Sequence, residues 1–130
     1  MSIFNPKGFD TIIGKDVVIT GVMVLNGTVV IDGHFSGQSI HSTQNIENKK
    51  RNVLHVNGTV DVQDVILSHD LTVTGTVTAK EVRVEGTLAV KAGAKVKADA
   101  IFYRTLMVEP GAVLLGPMMH LDHVSQGEQV

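Results

Sequence analysis

Apolar residues in this chain fall in pairs, each pair split by one other residue. Leu54/Val56, Leu71/Val73, Leu88/Val90 and Leu106/Val108 form one column, their first members 17, 17 and 18 residues apart. Side chains alternate along a strand, so each pair predicts a short strand with two apolar residues on one face. Val60/Val62, Val77/Ala79, Ala94/Val96 and Ala112/Leu114 form a second column, and Val65/Leu67, Val82/Val84 and Ala100/Phe102 a third. Read backwards, the pattern puts Met23/Leu25 in the first column, Val29/Ile31 in the second and Val17/Ile19 in the third. The intervening positions, His55, Asp61, Thr72, Thr78, Arg83 and Lys95, are polar, as a wetted outer surface requires.

Three strands per 17 or 18 residues leave no room for helices, so copies of one column must stack as parallel strands. The prediction is an all-β fold, a three-sided parallel β-helix of about five to six coils and roughly 25–29 Å long. An antiparallel sandwich also alternates, but it does not predict a constant period with three columns in register. The tetrapeptide NGTV, at Asn26–Val29 and Asn57–Val60 and echoed in TGTV and EGTL, is expected to mark one corner on successive coils. Between Ile31 and Leu54 this alignment leaves 14 residues more than the 9 that separate Val62 from Leu71. They are assigned to a polar loop inserted at about 34–52. The β-helix is expected over 11–118, between flexible tails at 1–10 and 119–130.

A solenoid is an open stack whose terminal strands lack neighbours, and natural proteins cover or blunt such edges. Here the outward positions of the end coils are apolar: Val18, Val24 and Val30 at the start, Ile101, Met107 and Val113 at the finish. The expected consequence is stacking of molecules end on end.

Composition narrows the functional classes. The net charge of −2 argues against a basic nucleic-acid surface. Cysteine is absent, which removes disulfides, thiolate metal sites and thiol nucleophiles. With no long apolar run and no apolar leader at the N-terminus, the chain reads as soluble and cytoplasmic. His120 and His123 flank Asp122 in HLDH, a pattern able to hold a metal, but it follows the last coil and lacks preorganisation. No glycine-rich loop precedes a helix, so no phosphate cradle is expected. Neither a cofactor nor a nucleotide is expected.

The segments TIIGKDVVITG (Thr11–Gly21), VVIDGHFSG (Val29–Gly37) and VEPGAVLLGPM (Val108–Met118) resemble the bactofilins, bacterial polymer-forming cytoskeletal proteins. The resemblance implies a right-handed β-helix that forms filaments without nucleotide, its subunits meeting head to head and tail to tail. The implied interface comprises Val17, Val18, Ile19, Met23 and Val24 at one end. Phe102, Met107, Val108, Val113, Leu114 and Leu115 form it at the other. Many relatives carry an aromatic near Leu114, where this chain has AVLLG. Some relatives also reach the membrane through an apolar N-terminal segment, for which Ile3 and Phe4 followed by Lys7 are a weak counterpart.

The expected function is therefore a non-enzymatic cytoskeletal subunit serving cell shape or the cell envelope. Its partners are other copies of itself, with the inner membrane face and envelope proteins as further candidates. One alternative is the left-handed β-helix of trimeric hexapeptide acyltransferases and zinc carbonic anhydrases. Those chains beat every six residues, whereas this one steps 6, 5 and 6 from Leu54 to Leu71. Only His34 and His41 offer zinc ligands there. A monomeric scaffold binding an envelope protein is the other alternative.

Overall fold

The computed structural model describes residues 11–25, 27–42 and 52–121. They form a β-solenoid of about five turns. Every strand pairing is parallel.

The strands are β1 (Thr11–Ile13), β2 (Val18–Leu25), β3 (Thr28–Ile31), β4 (His34–Ser42), β5 (Val53–Val56) and β6 (Thr59–Asp61). They continue with β7 (Asp64–Leu67), β8 (Asp70–Val73), β9 (Thr76–Val90), β10 (Lys95–Val108), β11 (Val113–Leu115) and β12 (Met118–His120). The long strands β2, β4, β9 and β10 bend round corners and serve more than one face.

The first face stacks β1, β3, β5, β8 and the last stretches of β9 and β10. The second stacks the first parts of β2, β4, β9 and β10 with β6 and β11. The third stacks the next parts of the same four strands with β7 and β12.

The predicted columns of the central coils are observed. Leu54 lies opposite Leu71, Leu71 opposite Leu88, and Leu88 opposite Leu106. The inward Leu54, Leu71, Leu88, Val60, Val77, Val65 and Val82 are fully buried. Each such side chain stabilises the fold by about 1.5–3 kcal/mol relative to exposure. Parallel pairing places like residues on like, so each coil covers the core of the next.

Four expectations are corrected. First, Val29 and Ile31 pair with Leu54 and Val56 on the first face, not the second. Ile19 joins Phe35 on the second face and Met23 joins Ile40 on the third. Second, His34–Ser42, expected in the loop, is strand, hydrogen-bonded to β2 on one side and to β6 and β7 on the other. Its Phe35 is the largest fully buried side chain. The next inward position is Gly37, whose Cβ would lie 2.2 Å from the Gly21 carbonyl oxygen. From Ser42 to Val53 is 11 steps where Leu67 to Asp70 is 3, so the insertion is eight residues, not 14. Residues 43–51 lie outside the described set.

Third, Ile101 pairs with Val82 and is fully buried, while Ala100 and Phe102 point outward. The corner at Lys91–Lys95 sets this register, and it also puts Val96, not the expected Ala94, opposite Val77. From Val90 to Val96 is six steps, against four from Val73 to Val77, so the following strand starts two residues late.

Fourth, the two NGTV copies sit at different corners. Thr28 enters the first face opposite Val53, whereas Thr59 enters the second opposite Thr76. The second copy therefore shares its corner with DGH at Asp32–His34 and TGT at Thr74–Thr76. Its glycine is required by close approach, because a Cβ on Gly58 would lie 1.9 Å from the Gly33 carbonyl oxygen. That carbonyl accepts the Thr59 N–H at 3.0 Å. Outside it, Asn57 Nδ2 donates to Asp32 Oδ1 at 2.7 Å and Thr74 Oγ1 donates to Asn57 Oδ1 at 2.6 Å.

The corner from the third face to the first carries the one fully buried polar side chain among the described residues, Asn52. Its Oδ1 accepts the Gly27 N–H at 2.8 Å, and its Nδ2 donates to Ser68 Oγ at 3.1 Å. Its own N–H donates to His69 Nδ1 at 3.0 Å. Ser42 Oγ accepts the Ser68 N–H at 2.8 Å. Ser42 and Asn52 bracket the insertion, so both of its roots are tied into neighbouring coils.

Candidate assembly surfaces at the two ends

In the middle of the rod each strand has neighbours on both sides. Among the described residues it has one at the ends: β1 pairs only with β3, β2 only with β4, and β11 and β12 only with β10. Each end thus presents a triangle of open strand edges whose N–H and C=O groups are suited to pairing with another strand.

The side chains there change in the same direction. Of eleven exposed large apolar residues among those described, ten lie in the terminal coils, which makes the ends the apolar surfaces of the rod. At the N-terminal end these are Val17, Val18, Val22 and Val24, with Val18 67% exposed. At the C-terminal end they are Met107, Val108, Val113, Leu115, Met118 and Met119. Behind them Ile19 and Met23 at one end, and Leu106, Ala112 and Leu114 at the other, are partly buried against the core. These would be fully covered by one further coil.

Sequence reasoning named most of this set. It missed Val22, Met118 and Met119. Val22 lay outside the assumed columns, because the corner at Gly21 (φ 109°) was not recognised. Met118 and Met119 fell at the expected domain limit, yet β12 pairs with Ile101–Tyr103 and completes the third face. Phe102 is not on a terminal strand: Met119 covers it on the C-terminal side, and the Arg83 guanidinium lies 5.1 Å from its ring centroid. Val30, expected outward and exposed, is 6% exposed. Ile3, Phe4 and Lys7 lie outside the described residues.

Charge at the C-terminal end sits at corners, where Arg104 Nε donates to the Glu85 carbonyl at 3.1 Å. Glu109 accepts the Ala92 N–H at 2.9 Å and lies 3.5 Å from Lys91 Nζ. That backbone hydrogen bond, with the lysine assisting, holds its carboxyl below the ordinary value. Among the described residues no group of three or more His, Cys, Asp or Glu converges as metal ligands. His120 packs edge-on to Tyr103, at 5.6 Å between ring centroids, and Asp122 and His123 lie outside the described residues. No helix among the described residues is long and apolar enough to cross a membrane.

Comparison with known proteins agrees with this architecture. Residues 11–119 match the family model of the bactofilins, described as polymer-forming cytoskeletal. No curated protein and no solved structure matches the chain.

Proposed function

The chain belongs to the bactofilin family of polymer-forming cytoskeletal proteins, and on that premise we propose that it self-assembles through both terminal coils, without nucleotide. The observation that carries this reading is the concentration of exposed apolar side chains on the two coils whose strand edges are open. Docking a second copy on either end pairs the open strand edges and covers the partly buried core residues behind them. The driving force is apolar burial plus backbone pairing, neither of which needs phosphate hydrolysis or is strongly screened by salt.

The two ends differ in composition, valine alone at one and methionine, valine and leucine at the other. Like-with-like stacking across two-fold axes makes each joint self-complementary, and repetition of two such joints extends the rod into a filament without polarity. The role is structural, a scaffold at the cell envelope, with membrane contact through Ile3, Phe4 and Lys7 as a subsidiary element.

Negative-stain electron microscopy of the full chain without nucleotide tests the reading, together with Val18→Arg and Val113→Arg. Both side chains point outward, so the substitutions place charge on a joint and spare the core. Filaments from the parent chain, and folded particles no larger than dimers from each variant, are expected. Filaments from both variants, or uniform small particles from the parent, would sink the proposal.

A further inference from the structure

Asparagine followed by glycine is chemically prone to modify itself, because glycine has no side chain to shield its nitrogen from the asparagine carbonyl. Such a pair stands at Asn57–Gly58, the corner between β5 and β6, with Asn57 exposed to water. The reaction has two steps. The Gly58 nitrogen loses its proton and bonds to Asn57 Cγ, the Cγ–Nδ2 bond breaks, and ammonia leaves with that proton. Water then opens the cyclic imide at one carbonyl or the other, which leaves aspartate or isoaspartate. Water is the one co-reactant.

Each atom of the first step is held in the folded rod. The Gly58 N–H donates to the Ile31 carbonyl at 3.0 Å, and the Asn57 N–H donates to the same oxygen at 2.8 Å. The proton that must leave is therefore engaged by the neighbouring coil. Asn57 Nδ2 donates to Asp32 Oδ1 at 2.7 Å, and Asn57 Oδ1 accepts from Thr74 Oγ1 at 2.6 Å. One partner lies in the coil before and one in the coil after, so the amide is stretched along the stack and kept from folding back on Gly58. The backbone has no slack either, since a Cβ on Gly58 would lie 1.9 Å from the Gly33 carbonyl oxygen.

We propose that Asn57–Gly58 is a latent deamidation site, silenced by the Asp32–Asn57–Thr74 ladder and released when either partner lets go. Neither product can rebuild the ladder. Aspartate would set a carboxylate oxygen against Asp32 where Nδ2 now donates. Isoaspartate lengthens the main chain at a corner without room for one added carbon. A modified coil therefore cannot close as before, and the change records that the corner has opened. Asn52 contrasts with it: that residue is fully buried and precedes Val53, whose branched side chain shields the following nitrogen. Asn26, of the chain's other Asn-Gly pair, lies outside the described residues.

Incubation of the full chain at mildly alkaline pH, then digestion and mass spectrometry to locate deamidation, tests the proposal. The folded parent is compared with the parent in denaturing urea and with Asp32→Ala, Thr74→Val and Leu88→Ala. Thr74→Val keeps the shape of the side chain and removes its hydroxyl. Leu88→Ala loosens the core without touching the ladder. Circular dichroism checks that each variant is folded, and Thr74→Val decides alone if Asp32→Ala is not. Asn57 should deamidate about tenfold more slowly in the folded parent than in urea. Asp32→Ala should raise the folded rate about tenfold and Thr74→Val a few-fold, with Leu88→Ala below both. A folded parent as fast as the parent in urea, or ladder variants no faster than the parent, would overturn the proposal. Leu88→Ala matching the ladder variants would overturn it too, by assigning the protection to overall stability.

Discussion

The middle and the ends of this rod are made of the same unit, yet they keep different company. In the central coils an inward leucine or valine is fully buried, and most neighbours pointing outward are polar. In the terminal coils Ile13 and Leu25 are buried, but the inward Ile19, Met23, Leu106 and Leu114 are only partly covered and many outward neighbours are apolar too. The parallel ladders run through both regions, although their two register shifts, at Gly21/Val22 and Tyr103/Thr105, fall toward the ends. The difference is a missing neighbour, and the composition of the outward positions records it. On the proposed reading, apolar outward positions turn a solenoid's end into an interface.

The largest test of this comparison follows one column across the boundary. Leu88 and Leu106 are adjacent in the ladder, the first fully buried and the second only partly so. Leu88→Ala should cost about 2–5 kcal/mol in urea unfolding of non-assembling subunits. Leu106→Ala should cost less than half as much, because part of its surface is already in water. Equal costs would mean that the last coil is covered within the subunit, and the contrast would fail.

Corners offer the next test. Gly58 faces the carbonyl of the coil below, whereas Gly93, in the longer corner of a later coil, has φ 83° and open space at its Cβ position. Gly58→Asn should force a backbone shift worth about 1–3 kcal/mol. Asparagine tolerates the left-handed conformation, so Gly93→Asn should stay within about 0.5 kcal/mol of the parent. The same urea midpoints decide it, and a costly Gly93→Asn would show that the long corners are packed as tightly as the short ones.

Asn52→Ala probes the root of the insertion. It leaves the Gly27 N–H without its side-chain acceptor and should cost about 1–3 kcal/mol. Hydrogen exchange should show the loss locally, as faster exchange at Gly27 and Ser68. Protection unchanged at both amides would show that the network is not what fixes the insertion.

The smallest expected effect is a pH dependence in the middle of the rod. Burial holds the His55 pKa below its ordinary 6.5, with the Asp70 charge opposing. A depressed folded-state value favours the neutral ring. Its contribution is therefore intact above pH 6.5 and is lost as pH falls from there through the lowered value. His55→Thr, matching Thr72 in the next coil, should flatten that part of the stability profile. Parallel profiles for parent and variant would remove His55 from the account.

Much of this architecture was legible beforehand. From Leu54 to Val90 the columns of the first face read directly from spacing, because apolar and polar positions alternate without ambiguity. Legibility failed where both alternations are apolar. In Ala98-Asp-Ala-Ile-Phe-Tyr103, choosing Ala100 and Phe102 as inward reads as well as choosing Ile101 and Tyr103. Only the two extra residues at the preceding corner decide between them. The end surfaces were legible in outline, through Val18, Val24, Met107 and Val113. Val22 and Met118 required the turns at Gly21 and Gly116, both at positive φ, to be placed first.

The sequence by itself determined the class of fold, because a 17- or 18-residue period of alternating strands admits little besides a three-sided parallel stack. It also determined where the stack is apolar on the outside. Which strand belongs to which face at the N-terminal end was decided only by the tertiary structure. One side of a coil takes about six residues, so sliding a strand pair to the next side preserves its alternation and costs nothing visible in the pattern. The slip of Val29 and Ile31 onto the wrong face was of this kind, and it inflated the insertion from eight residues to 14. Hydrogen bonds between coils resolve it, since a strand pairs with whatever stands about 4.8 Å above and below, and that neighbour lies far away in sequence.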